Sequence, residues 1–564
     1  MQDIMRARRR PVKTRKNRGG SEVRTASKKV LKLARQSRYG IALTAIVLLG
    51  LFLSLCFFYG PTPINFADNN FYSFNAYWLA NGNWSVLNHP DVLGAQYLLI
   101  MAIAFFYTIF APSMLSAAAF GIICFLLTIV VVYKIGTELY SKKAGLLAAL
   151  FYSFNPLAVI ASSYVGNDSP MMLFVTLAVL FLVLAFKNGR DHRLYYALSG
   201  FFSVFGLLVS GRDIELMPFM ALALFLYLVK ERKLEAVKNI AVFAGGALLA
   251  LLFIAALSEM LGNPPLYVFE INLSLTWNFC SYYQFPFYAY SLFPYHITTS
   301  LANGNVEQAI ASIFLGPLTF TKSMLSPGGG VQSAGIYGYL AVLAALFLAF
   351  KKKFSSMLIP VLWFVAELGW IGFGVYGFTP LKFFCVQGVR FMIIFMPALA
   401  LLIGFALTCL METPKKRLFR YCAIAVACVI IIVALHNSYL IIQYVDLSQY
   451  KWIYPLLQVD NFIRTLPSNV FIIINEVQLA DPTYIGMQHG AYMIYEQTFN
   501  CSDVQRAAYV VDSSASGIAS SCNLSLVFAQ PPIPAYLDDY TLFNQSSMGT
   551  YFNETVYRVV NSSK

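Results

Sequence analysis

Two carboxylates are placed where they could do chemistry. Asp68 stands in FADNNFYSFNAYWLANGNW and Asp168 in SSYVGNDSPMM, each close to the boundary of an apolar run long enough to cross a bilayer. At one end of a helical bundle, such a pair can act as a general base and as a partner that orients a donor or holds a divalent metal such as magnesium or manganese. Each acid could equally cap a helix. Asp168, followed by Ser-Pro, reads as an N-cap with proline in the first turn. Arg212 in LLVSGRDIEL, Arg390 in VQGVRFMIIFMP and Lys382 in the loop before Arg390 are cations at the same ends of their apolar runs. They suit either a phosphate or an anchoring role among lipid headgroups. His89, in LNHPDVLG, and Glu367, in FVAELGW, complete the set. A carboxylate inside an apolar run, as at Glu367, is costly and points to a polar cavity or an arginine partner.

Something must position these side chains, and the composition says what. Of the 564 residues, 58% are hydrophobic, 16% aromatic and only 12% charged. A soluble chain carries roughly 25% charged residues. Repeated apolar runs near 20 residues therefore indicate a mainly α, polytopic membrane bundle. The net charge of +14 does not point to nucleic acid. Residues 1–39 hold fourteen Lys/Arg and two acids, and the remainder is nearly neutral. That head reads as a basic cytoplasmic segment under the positive-inside rule. No other basic surface with stacking aromatics accompanies it.

Eleven spans are predicted, near 40–60, 114–134, 143–163, 169–187, 194–211, 213–230, 239–260, 334–350, 355–376, 390–411 and 418–438. With the N-terminus inside, the basic connections KIGTELYSKK, KNGRDHR, KERKLEAVK, KKKF and PKKR all fall on the cytoplasmic side. The run at 93–111, GAQYLLIMAIAFFYTIFAP, is apolar enough to be counted too. Counting it would put all five basic connections outside, so it is expected to lie along the outer face. The transmembrane domain then covers 40–444, with outer loops at 61–113 and 261–333.

The chain from 445 to 564 has no spanning run and is expected outside as a small α/β domain. Its strand-like runs are VFIIIN, AAYVVD, LSLVFA and TVYRVV, beside the helical YPLLQVDNFIRTL. Eight Asn-x-Ser/Thr sequons all fall on the outer side. They are Asn83, Asn167, Asn272 and, in the tail, Asn500, Asn523, Asn544, Asn553 and Asn561. Six of the nine cysteines lie in or at apolar runs. Cys501 and Cys522 share the tail, where an oxidising exterior would permit a disulfide. Ten of the twenty residues in WNFCSYYQFPFYAYSLFPYH, 277–296, are aromatic. They read as an interfacial belt or as a lid over a sugar or lipid tail.

The order of these features resembles the GT-C superfamily of glycosyltransferases that use polyprenyl-phosphate sugars. It is nearest in style to protein O-mannosyltransferases and lipid A aminoarabinose transferases. The resemblance rests on a single span, then an acid and an aromatic helix ending LANGNW, a His-Pro and a non-spanning helix. YKIGTELYSKKAGLLAALF, FNPL, an acidic second loop and a late RFMIIFMPALALL follow. Asp68 matches the first acid of the family's outer-loop motif, and Asn69 stands where a second acid often follows. Asp168 matches the acid at the start of the fourth span, and Arg390-Phe391 is similar to an Arg-Tyr that opens a late span. The related oligosaccharyltransferases carry a WWDxG-type motif in their outer domain, where this tail has only KWIYP.

The resemblance implies a multi-pass cell-membrane enzyme that moves a sugar from a polyprenyl (dolichyl) phosphate to a protein or lipid acceptor, with inversion. Asp68 would be the base, and Arg212 or Arg390 would meet the charge of the leaving phosphate. The alternatives are an oligosaccharyltransferase-like enzyme, a glycosyltransferase-like protein without activity, and a transporter or flippase using Glu367. No internal repeat of the kind common in transporters is present.

Overall fold

The computed structural model describes residues 38–56, 67–88, 95–188, 193–231, 234–270, 336–373, 393–413 and 416–466, together with seven short strands between 375 and 559. His89, Arg390, Asn500, Cys501, Cys522, Asn523, Asn544, Asn553 and Asn561 lie outside the described residues.

Among the described residues each predicted apolar run is mainly helical, and the run at 355–376 ends in a strand. In chain order the helices are α1 (Arg38–Cys56), α2 (Ala67–Ala80), α3 (Tyr97–Phe110), α4 (Met114–Leu139), α5 (Lys142–Ser153), α6 (Pro156–Ser163) and α7 (Asp168–Asn188). They continue with α8 (Arg193–Phe205), α9 (Met217–Glu231), α10 (Leu234–Met260), α11 (Tyr337–Phe350), α12 (Phe354–Phe373), α13 (Met396–Glu412) and α14 (Arg417–Arg464).

Local chemistry sets several boundaries. Ser113 and Ser116 form a reciprocal capping box that starts α4. Asn155 Oδ1 accepts the Ala158 N–H at 3.2 Å, and Pro156 follows as the first helical residue. This cap and proline break the third predicted span into α5 and α6, bent by 59°.

The expected count of eleven full-length spans is not reproduced. Among the described residues, six helices are long and apolar enough to cross a membrane, or seven if α5 and α6 are one bent span. α9, α11 and the 193–208 segment are shorter, and two 3-10 turns, Gly206–Leu208 and Gly211–Leu216, interrupt the chain between α8 and α9. Hydropathy sees apolar residues there but not the turns. α3, expected not to span, has 14 residues. Its length of about 21 Å falls short of a hydrocarbon core of about 30 Å.

α13 is the centre of the bundle, with every residue from Met396 to Cys409 buried. α5 and α11 pack against it, and α4 packs on α5 and α7. A second core lies at one end only. It joins Tyr72 and Ala76 of α2 and Ile100 and Ile103 of α3 to Ala118 of α4, Leu207 and Ile254.

Ion pairs mark the opposite end. Glu138 binds Lys134 at 2.8 Å and Lys187 at 2.6 Å, Lys143 binds Glu412 at 3.0 Å, and Arg193 binds Glu235 at 3.6 Å. Lys142 sits over the Tyr39 ring. The connections read as cytoplasmic are thus tied to one another at one end, and α2 and α3 pack at the other.

α14 runs for 48 residues without a break, across the domain boundary expected at 444/445. Its apolar part is Arg417–Gln443. At about 72 Å in all, it extends well beyond a bilayer core.

The strands are β1 (Val375–Phe378), β2 (Leu381–Phe383), β3 (Ile472–Asn475), β4 (Tyr492–Ile494), β5 (Tyr509–Ser513), β6 (Leu524–Ala529) and β7 (Glu554–Val559). β1 and β2 form a hairpin that carries Lys382, opposite Gly377. The other five make a mixed sheet of order β4-β3-β5-β7-β6. β3 is parallel to β4 and β5, and β7 is antiparallel to β5 and β6. The four predicted runs are all strands; the short β4 was not predicted.

α8 and α10 approach closely through small residues. A Cβ on Gly246 would lie 1.9 Å from the Ala197 carbonyl oxygen, whereas one on Gly245 would meet nothing within 4 Å. Gly246→Ala is expected to cost about 1–3 kcal/mol by overpacking. Gly245→Ala should be neutral or gain up to about 1 kcal/mol of helix propensity. Thermal unfolding of the two variants in detergent checks this, and equal melting temperatures would contradict the packing.

Candidate active site

The helix α7 begins with chemistry. The Asn167 carbonyl accepts the Met171 N–H at 2.9 Å, so Asn167 occupies the cap and Asp168 is the first helical residue. The expected cap role of Asp168 is therefore taken by its neighbour. An acid in this first turn is favoured by the helix dipole. Its carboxylate faces the bundle and is 1% exposed.

Asp168 has two partners. The Arg212 guanidinium pairs with Oδ1, and the Tyr164 hydroxyl donates to Oδ2. Arg212, with its side chain 13% exposed, rides on the 3-10 turn Gly211–Leu216. Ser210 shapes that turn. Its Oγ accepts the Arg212 N–H at 3.3 Å and its carbonyl accepts the Asp213 N–H at 3.1 Å. Two sequence candidates separated by 44 positions thus meet in one buried pair. Taking either charge out of water alone costs several kcal/mol, and pairing is the remedy.

Two more buried acids lie on the Arg212 turn and on the helix that packs against it. Asp213 is fully buried, and its carboxylate lies where a Cβ on Gly206 would stand, 2.4 Å from Cγ. Glu367 is also fully buried. α12 packs against the Gly211–Leu216 turn, and Trp363 stacks on Phe219 at 6.0 Å. Glu367 follows Trp363 by one helical turn on the same face, toward the end that carries Arg212. It therefore lies toward the same end of the bundle as Asp168 and Arg212.

Asp68 is the second residue of α2. α2 packs on α3 and shares the second core, so it stands at the same end of the bundle as Asp168 and Arg212. Three buried hydrogen bonds bind this end together. Ser54, near the exit of α1, shares a 2.7 Å hydrogen bond with Ser162, two residues before Tyr164. Asn263 Nδ2 donates to the Leu87 carbonyl at 2.9 Å and to the Tyr97 hydroxyl at 2.7 Å. Burial pushes the Tyr97 phenol upward, with the Asn263 bond offsetting part of that, and keeps it neutral.

The sequence reading missed Tyr164, Ser210 and Asp213. Tyr164 precedes Asp168 by four residues, and Ser210 stands two before Arg212, the spacing of a serine turn. Those were the available signals. A metal at Asp168 would have to displace a guanidinium. Among the described residues no three His, Cys, Asp or Glu side chains converge on a point that could hold one.

The chain's likenesses can now be set beside this geometry. ArnT from Cupriavidus metallidurans bound to undecaprenyl phosphate superposes with a TM-score of 0.54 at 14% identity, over 93% of this chain and 99% of that one. Its apo state gives 0.53 at 13% identity, over 94% and 99%. This chain is similar in fold to ArnT over nearly the whole length of both chains. The oligosaccharyltransferase AglB from Archaeoglobus fulgidus aligns less well, with a TM-score of 0.49 at 14% identity over 84% of this chain and 69% of that one. The family described as dolichyl-phosphate-mannose-protein mannosyltransferase matches residues 89–258. That stretch contains Asp168 and Arg212 and ends before α11. Among curated proteins none matches in sequence. In this fold the buried pair, the aromatic α2 and the short α3 all gather at one end.

Asp168→Ala would leave the Arg212 charge buried without this partner and is expected to lower stability by about 3–5 kcal/mol. The double change Asp168→Leu with Arg212→Met is expected to recover most of that loss. Thermal unfolding in detergent reads both, and a double variant as unstable as the single one would contradict the pairing.

Proposed function

We propose that this protein is an integral membrane glycosyltransferase that moves a sugar from a polyprenyl-phosphate donor to a hydroxyl of a protein or lipid acceptor on the outer face. The observation that carries this reading is the buried Asp168–Arg212 pair at the end of the bundle opposite the basic connections. A transferase whose leaving group is a lipid phosphate needs a fixed cation at that depth. The full-length likeness to ArnT, solved with undecaprenyl phosphate, and the name of the matching family support the same donor class.

In this reading the acceptor oxygen attacks the anomeric carbon while its proton passes to the Asp68 carboxylate. The bond between that carbon and the phosphate oxygen breaks, and its electron pair leaves with the polyprenyl phosphate. The transition state has oxocarbenium character. A single displacement inverts the configuration. Arg212, held by Asp168, whose other carboxylate oxygen accepts from Tyr164, is in place before the phosphate charge grows, so little reorganisation is needed at the moment of reaction. Lys382 and Arg390 are proposed as further phosphate contacts. The outer-side placement of the active end and of the tail is part of the same proposal.

The test is transfer in membranes supplied with a polyprenyl-phosphate sugar, read as release of polyprenyl phosphate. Asp68→Asn is expected to abolish release at unchanged expression, and Arg212→Met to lower kcat by about 10²–10³, the loss typical of a charge-stabilising donor. Release by Asp68→Asn at the parent rate would remove Asp68 as the base. No release by the parent with any such donor would remove the function.

A further inference from the structure

Asn167 opens the sequon Asn167-Asp168-Ser169 and by sequence alone is a glycan acceptor. The fold puts its amide to another use. Asn167 is 8% exposed, and its Nδ2 donates to Ser210 Oγ at 3.1 Å. Ser210 is 1% exposed, and the same oxygen accepts the Arg212 N–H at 3.3 Å. Asn167 is bonded covalently to Asp168, and Ser210 stands two residues before Arg212. On the other side of Asp168, Ser169 Oγ donates to the Gly121 carbonyl at 2.8 Å. The Asp168 backbone is therefore flanked by two side-chain ties, one to the turn that carries Arg212 and one to α4.

We propose that the Asn167–Ser210 hydrogen bond is a latch that fixes the Arg212 turn against the start of α7, and so sets where the guanidinium meets the donor phosphate. The ion pair cannot do this by itself. An arginine side chain has several rotatable bonds, so its head can stay on a carboxylate while its backbone shifts. The latch joins the two backbones through one short amide and one hydroxyl, each with little freedom, and removes that slack. Asn167 and Ser210 are thus positioning residues. A second consequence concerns modification. An amide committed to Ser210 inside the bundle is withheld from glycosylation, so Asn167 stays bare although its sequon is intact.

What the latch does for the donor rests on the function proposed above; that the latch exists does not. The experiment uses the full chain in four forms: parent, Asn167→Ala, Ser210→Ala and the double variant, with Ser210→Thr as the conservative control. Donor KM, kcat and melting temperature are measured for each, and glycan occupancy at residue 167 is read by mass spectrometry on the parent. Each alanine is expected to raise donor KM about 10-fold, the scale of a buried hydrogen bond, with a smaller change in kcat. The double variant should be no worse than the worse single one, because both remove the same bond. Ser210→Thr, which keeps the hydroxyl, should stay within about twofold of the parent.

Losses that multiply in the double variant, a fall in kcat at unchanged KM, or a glycan on Asn167 in folded protein would each overturn the proposal. If the parent transfers no sugar, the function fails and the latch is judged on melting temperature. Non-additive losses there sustain it, and additive losses sink it.

Discussion

A carboxylate and a guanidinium buried in an apolar bundle must meet, and the Asp168–Arg212 pair is where this chain satisfies that demand. Asp168 is the first residue of a long apolar helix, and Arg212 sits on a turn between two short ones. Bringing them together fixes the depth at which α7 starts and obliges the chain between α8 and α9 to break into 3-10 turns. Tyr164 completes the coordination from the preceding turn. Removing one member would leave the other charge in a low-dielectric site, so the pair constrains the neighbouring elements more than its own net energy suggests.

The two ends of the bundle use charge differently. At one end, Lys134, Lys187, Lys143 and Arg193 pair with Glu138, Glu412 and Glu235 through side chains that are mostly half-exposed. Such pairs contribute little stability individually, but they tie the ends of six helices to one face. At the other end, among the described residues, the charged and amide groups Asp168, Arg212, Asp213, Glu367 and Asn167 are enclosed, with Ser210 beside them. Two helices too short to span, α2 and α3, close around that end with a core of their own. The bundle thus carries solvated charge at one end and enclosed charge at the other.

Much of this was legible in the residues. Charge parity set the run at 93–111 apart from the predicted spans, and the helix found there, α3, has 14 residues. Four of the five strands in the tail were visible as β-branched and aromatic runs. The span count was less legible, since apolar composition cannot reveal the turns at 206–208 and 211–216 or the bend at Asn155-Pro156. The expected boundary at 444/445 falls inside α14, because helix propensity continues where hydropathy stops. At the site, the residue types identified Asp168 and Arg212 singly, and only the fold joined them. Asn167 was misleading: a three-residue acceptor pattern carries no information on burial, and its amide is already engaged.

The central claim is that the donor's phosphate binds at the Arg212 end of the bundle. A cryo-electron microscopy map of the full chain with undecaprenyl phosphate tests it directly. The account predicts phosphate density within hydrogen-bond reach of Arg212, with Asn167 still bonded to Ser210. Phosphate density at the opposite end, beside Lys143 and Lys187, would contradict it.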